Sequence, residues 1–168
     1  RVFNAYKNFG IEGEEREDYI GGNAKMNEFQ AAMGLCNLPC MGELIEERRQ
    51  ITLHYRERLT GVAGIHFFEP DRDPAVHYNF AYLPVLIEKE RFGVSRDEVY
   101  DRLKREEVFT RRYFWPIVPD FGCYRAKHEK DAIPVTRKVG EQVLCLPIYN
   151  GLSLEQVDRI VDAIMACR

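Results

Sequence analysis

The chain has 168 residues, 45% of them hydrophobic, 30% charged and 12% aromatic, the composition of a folded globular chain and not of a disordered or collagenous one. Twenty-four Lys and Arg stand against 27 Asp and Glu, a formal net charge of -3 without a long single-sign run, which disfavours nucleic acid or an anionic membrane surface as the main partner. Five cysteines, Cys36, Cys40, Cys123, Cys145 and Cys167, lack the paired spacings of a disulfide framework or a zinc site, so reduced thiols in the cytoplasm are expected. No apolar run approaches the ~20 residues of a membrane helix. The start, Arg1-Val2-Phe3-Asn4, carries neither a signal segment nor an initiating Met, so the chain is expected to be a piece of a longer polypeptide.

Val2 to Asn8 reads as the last turns of a helix, with Val2, Phe3 and Tyr6 on one face and Gly10 closing its C-terminus. Gly10 to Asn23, rich in glycine and acidic residues, reads as a loop. From Lys25 the period becomes helical. Met26, Phe29, Met33 and Cys36 line one face, predicting a buried helix that Pro39 stops or kinks. A longer helix follows from about Gly42 to Leu59, with Leu44, Ile45, Ile51, Tyr55 and Leu59 inward, Arg56 among its solvent-facing charges, and Gly61 at its end.

Ile65 to Phe68 is a strand candidate, and Tyr78, Phe80 and Tyr82 alternate before the apolar run Leu83 to Ile87. Pro84 cannot donate to a ladder, so this run is expected at a sheet edge or a bulge. Ser95 with Glu98, and Ser153 with Gln156, have the spacing of capping boxes, and Val94/Val99 and Leu152/Val157 fit the hydrophobic staple, so two helix starts are specified twice over. Between them, Val108 to Trp115 reads as a strand, Pro119 to Ala132 as a polar loop, Val135 to Val143 as a short helix and Leu144 to Ile148 as a strand. The order implies an α/β fold, an α+β sandwich in which both capped helices cover one face of a small, mainly antiparallel sheet.

His54, His66, His77 and His128 are far apart, and Cys36 and Cys40 flank Pro39, so no metal site is expected. No cysteine is paired in sequence with a base, and GxGxxG and P-loop motifs are absent. Two places carry chemistry. At Gly21-Gly22-Asn23, leading into a helix, backbone N–H groups and the Asn23 amide can meet an anion, or Asn23 simply caps the helix. Thr110-Arg111-Arg112-Tyr113-Phe114-Trp115-Pro116 can clamp a diphosphate and stack a base or sugar ring, or it is an edge strand with aromatics inward and arginines solvated.

The blocks Asn8-Phe9-Gly10, Gly22-Asn23-Ala24-Lys25-Met26-Asn27-Glu28-Phe29-Gln30-Ala31-Ala32-Met33-Gly34-Leu35 and Leu144-Cys145-Leu146-Pro147-Ile148-Tyr149, in that order, resemble the C-terminal half of the pyridoxal-phosphate-dependent sugar aminotransferases of the DegT/DnrJ/EryC1/StrS family. The resemblance implies the small domain and interfacial helices of a fold-type-I transferase. Residues 1–60 would link to a missing large domain, and residues 61–168 would form the small α/β domain. It implies a homodimer that transfers an amino group from L-glutamate to a keto sugar carried on a nucleoside diphosphate. It further implies that the Schiff-base lysine and the aspartate facing the pyridine nitrogen lie upstream, so that this chain holds no catalytic residue and is inactive alone. Carried over by position, Asn23 looks like the asparagine that crosses the dimer interface to the neighbour's cofactor phosphate. Lys25, Arg111, Arg112, Tyr113 and Phe114 look like contributors to the nucleotide-sugar site. The aromatic Tyr113-Phe114-Trp115 run points to a deoxythymidine-linked 4-keto-6-deoxy sugar. A sugar dehydratase of the same fold and a non-catalytic interaction domain are the competing readings.

Overall fold

The structure, a computed structural model, describes residues 2–9, 11–12, 16–17, 20–121, 126 and 132–168. Gly10, expected to close the first helix, lies outside these, as do Cys123, His128 and most of the loop expected from Pro119 to Ala132. The chain forms two compact units, Arg1–Gly42 and Glu43–Arg168.

The first unit opens with helix α1, Val2–Tyr6, and a short antiparallel ladder of β1, Ile11–Glu12, and β2, Arg16–Glu17. Helix α2 covers Glu28–Asn37 and is capped by Asn27, whose side chain accepts from the Gln30 N–H while Gln30 reaches back to the Asn27 N–H. The expected start at Lys25 is thus displaced to Glu28, because this reciprocal cap fixes where helical geometry begins. The apolar face read as buried is not: α2 has no buried residue, and Phe29 is 88% and Met33 60% exposed. Periodicity marks a face suited to being covered, and no described element of this unit covers it. Pro39 sits in a 3-10 turn, Leu38–Cys40, where the missing N–H costs nothing, and helix α3 follows directly over Met41–Leu59.

In the second unit α3 buries Ile51, Tyr55 and Leu59 in the same core as the sheet, so although the sequence reading grouped this helix with residues 1–60, its packing lies here. Arg56, expected in water, is only 8% exposed. Its guanidinium donates to both carboxylate oxygens of Asp71, at 2.6 and 2.8 Å, and this pairing makes burial tolerable.

The sheet has the order β3-β4-β5, with β3 at Ile65–Phe67, β4 at Leu83–Ile87 and β5 at Val143–Leu146, antiparallel throughout. Tyr78 to Tyr82 is not strand. β4 is the central strand and its register with β5 is continuous, contrary to the edge or bulge expected from Pro84. The backbone explains it: Pro84 lies opposite Cys145, which gives its N–H and its C=O to Arg111, so Pro84 nitrogen faces the β3 side. Pairing with β3 has already ended at Phe67↔Val85, and no ladder bond is lost.

Short helix α4, Lys89–Phe92, leads to α5, Arg96–Arg105. Helices α6, Pro134–Gln142, and α7, Leu154–Met165, flank β5. Both predicted capping boxes form. Val99 and Leu103 of α5 and Val157, Ile160, Val161 and Ile164 of α7 join Leu83, Val85, Ile87, Leu144 and Leu146 in one core, so both helices cover the same sheet face. Each such side chain contributes about 1.5–3 kcal/mol on burial. The strand expected from Val108 to Trp115 shrinks to a single bridge, Arg111↔Cys145, because the Trp115 N–H returns to the Arg112 carbonyl at 2.7 Å and turns the chain away.

Candidate functional site

Asn23 stands in the first unit, in an antiparallel bridge with Asn8. Phe9 N–H donates to the Gly22 carbonyl (3.1 Å) and Ala24 N–H to the Lys7 carbonyl (3.0 Å). The backbone is therefore fixed on both sides of Asn23 while its side chain is exposed. Asn27 holds the capping position, so the capping role considered for Asn23 is taken by another residue, and Asn23 is not at the helix N-terminus. A Cβ at Gly22 would meet nothing within 4 Å, which leaves the approach to this backbone open. Lys25 donates from Nζ to Asn8 Oδ1 at 3.0 Å and lies 5.2 Å from the Phe9 ring centroid. An asparagine amide and a lysine thus share one exposed, backbone-fixed edge. The amide supplies neutral donors and the lysine a charge, a donor set suited to phosphate oxygens.

The 110–116 segment lies in the second unit. Among the described residues Arg111 is held through its backbone, donating to the Cys145 carbonyl (3.2 Å) and accepting from the Cys145 N–H (2.7 Å), and its side chain is exposed. Arg112 instead turns to α5: Nη1 donates to Asp97 Oδ1 at 2.8 Å, and the guanidinium lies 4.4 Å from the Tyr100 ring centroid. The same Asp97 oxygen accepts from Arg96 Nε, also at 2.8 Å. Burial opposes ionisation of Asp97, but the hydrogen bond from Arg112 and the charge and bond of Arg96 outweigh it and hold its pKa below the usual carboxylate value.

Arg96 is 1% exposed. Its Nη1 donates to the carbonyls of Gly140 (3.1 Å) and Val143 (2.7 Å), and its guanidinium faces Trp115 at 5.6 Å. Burial lowers its pKa, which the Asp97 charge partly opposes. Gly140 makes room for this arrangement, since a Cβ there would lie 2.8 Å from Ile117 Cγ2 and 3.2 Å from Trp115 Cε3.

The edge-strand alternative places all three aromatics inward; Trp115 is half-buried against Arg96, but Tyr113 and Phe114 are exposed. Phe114 is 72% and Tyr113 38% exposed, with ring centroids 5.0 Å apart, and Tyr113 meets Tyr82 edge to face at 5.5 Å. The edge-strand reading is thus reversed at Arg112, which is docked, and at Tyr113 and Phe114, which are not. Tyr82, Tyr100, Asp97 and Arg96 escaped the sequence reading as site residues. Tyr82 stood out only as part of an alternating run, and Asp97 is an ordinary acidic residue in a first helical turn. A cavity of about 650 Å³ lies elsewhere, between the end of α5 and α7, lined among others by Phe109, Tyr149 and Arg159. None of Asn23, Lys25, Arg111, Arg112, Tyr113 or Phe114 lines it.

Among the described residues no group of three His, Cys, Asp or Glu is placed to hold a metal ion, and no helix is long and apolar enough to cross a membrane.

The model of the DegT/DnrJ/EryC1/StrS aminotransferase family matches residues 2–165. The chain is 37% identical over 158 residues to a dTDP-4-amino-4,6-dideoxy-D-glucose transaminase of Shigella dysenteriae, covering 94% of this chain and 42% of that protein. A protein of the same name from Escherichia coli is 36% identical over 161 residues, covering 95% and 43%. The crystal structure of DesI, determined in the presence of its TDP-sugar product, superposes with a TM-score of 0.83 at 33% identity, over 98% of this chain and 41% of that one. The chain therefore spans about two fifths of the length of the proteins it matches, and over that stretch it shares their fold.

Proposed function

The chain belongs to the DegT/DnrJ/EryC1/StrS aminotransferase family, and on that premise we propose that it is the C-terminal part of a cytoplasmic, homodimeric enzyme that moves an amino group from L-glutamate to a nucleoside-diphosphate-linked keto sugar. The observation that carries the reading is the 36–37% identity, over nearly the whole chain, to two transaminases named for a dTDP-linked 4-amino sugar. It favours a deoxythymidine-linked 4-keto-6-deoxy sugar as substrate.

Pyridoxal phosphate is the cofactor this reading requires, and it supplies an electron sink when bound. The exposed Asn23 amide, uncommitted to capping and beside the open Gly22, fits one phosphate contact reached from outside this unit. Residues 1–60 then carry the link to the large domain, the latter half of α3 packing on the small domain that residues 61–168 form. In the second unit the exposed Tyr113 and Phe114 offer ring faces to a base or sugar, and the segment that begins at the exposed Arg111 offers positive charge for the diphosphate, with Arg112 contributing from its place against α5. Lys25, tethered to Asn8, adds charge near Asn23.

The test is incubation of the enzyme carrying this chain with pyridoxal phosphate, L-glutamate and a dTDP-linked 4-keto-6-deoxy sugar. A mass spectrum of the product should show the amino sugar together with 2-oxoglutarate. Loss of water from the sugar without gain of nitrogen would establish the dehydratase instead. The 168-residue chain alone is expected to be inactive, and borohydride treatment with pyridoxal phosphate should label no single lysine stoichiometrically.

A further inference from the structure

We propose that the adjacent arginines of the 110–116 segment have separate tasks: Arg112 is a positioning residue, clamped with Arg96 on Asp97, and Arg111 is the guanidinium that meets the diphosphate of a nucleotide ligand. This rests on the nucleotide-sugar reading above and divides a role that sequence alone assigned to both.

The geometry separates them. Arg112 is engaged at Asp97 Oδ1 (2.8 Å) and over the Tyr100 ring (4.4 Å), and its carbonyl receives the Trp115 N–H (2.7 Å). Drawing its guanidinium onto a phosphate would break a charge-assisted hydrogen bond and a cation–π contact together. The clamp continues inward, because Asp97 also binds Arg96, whose side chain is buried and holds the carbonyls of Gly140 and Val143 at the junction of α6 and β5. Asp97 thus ties the segment to α5 and, through Arg96, to the sheet.

Arg111 has the opposite character. Its backbone is bonded to Cys145 in both directions, and among the described residues its exposed guanidinium meets no carboxylate, ring or carbonyl. A fixed stem with an uncommitted fork, two and three residues before the exposed rings of Tyr113 and Phe114 in the chain, suits a diphosphate attached to a ring. With Asp97 and Glu141 offsetting Arg96 and Arg112, the charge of Arg111 is left unbalanced by these groups, which favours an anion nearby.

The experiment is calorimetric titration of the enzyme carrying this chain with dTDP, at low and moderate salt, for the wild type, Arg111→Gln, Arg112→Gln, Asp97→Asn and the double variant Asp97→Asn/Arg111→Gln. UDP and GDP serve as parallel probes. Arg111→Gln is expected to weaken binding about ten- to hundredfold, to flatten its salt dependence and to leave Tm unchanged. Arg112→Gln and Asp97→Asn are expected to lower Tm by several degrees and to weaken binding by less than about threefold. The affinity lost through Asp97→Asn should vanish when Arg111 is already Gln, as a purely structural role would not require. The assignment falls if Arg111→Gln binds as the wild type does, or if the Asp97→Asn loss persists in the double variant. If the wild type binds none of the three nucleotides and aminates no nucleotide sugar, the functional reading fails and the assignment with it.

Discussion

Asn27 and Gln30 close the start of α2 on each other: Asn27 Oδ1 accepts from the Gln30 N–H at 2.9 Å, and the Asn27 N–H donates to Gln30 Oε1 at 3.1 Å. Both donors are satisfied without Asn23, whose side chain is left for another partner. Asn27→Ala is therefore expected to destabilise the first unit by about 1 kcal/mol, whereas Asn23→Ala should change stability by less than about 0.5 kcal/mol. In the enzyme carrying this chain, Asn23→Asp should fold normally and bind pyridoxal phosphate much more weakly, because a carboxylate meets the phosphate with like charge. Wild-type cofactor affinity in that variant would remove Asn23 from the cofactor site.

Gly64 is required by both conformation and space. Its φ is +85°, and a Cβ would lie 2.4 Å from the Phe92 backbone nitrogen and 2.8 Å from the Glu88 carbonyl oxygen. Backbone atoms cannot rotate aside as a side chain can, so Gly64→Ala should cost about 2–5 kcal/mol, read from the shift in urea midpoint. Gly61, at φ +83° with nothing within 4 Å, is the control. Gly61→Ala carries only the conformational cost, about 1–2 kcal/mol.

The Arg56–Asp71 pair should leave a signature in acid. The hydrogen bond from Arg56 is the largest influence on Asp71 and outweighs burial, so the folded pKa lies below the unfolded value of about 3.9. Its contribution is then complete above that value and is lost as pH falls through the folded pKa. Asp71→Asn should reduce stability at pH 7 by about 1.5–3 kcal/mol, and the gap from wild type should narrow below about pH 4. Chemical denaturation at pH 7, 5, 4 and 3 measures it, and a gap independent of pH would contradict the pairing.

Cysteine reactivity should divide by unit. Cys36 and Cys40 are exposed, while Cys145 is buried and burial pushes its thiol pKa up. Brief alkylation of the native 168-residue chain at neutral pH is expected to modify Cys36 and Cys40 first, with Cys145 reacting only on unfolding. In the dimeric enzyme Cys36 should slow if α2 is one of the interfacial helices that the family resemblance implies. Peptide mass mapping over time reads both.

Local chemistry was legible in the residues alone. The capping boxes at Ser95 and Ser153, the extent of α3 and the β-type runs at residues 65–68 and 83–87 follow from side-chain periods and from donors that a single serine and its i+3 partner satisfy. So did the family, because the glycine-asparagine block and the leucine-proline block keep their order along one chain. What depended on partners distant in sequence was not legible. That β4 is central despite Pro84 depends on where β3 ends and on Cys145 bonding to Arg111. That Arg56 is buried depends on Asp71, and that Arg112 is docked while Arg111 is exposed depends on Asp97 and Tyr100 of α5. A side chain's period says which face it occupies. Only the tertiary fold brings up the opposite charge or carbonyl that decides whether a guanidinium is buried as part of the scaffold or left exposed for a ligand.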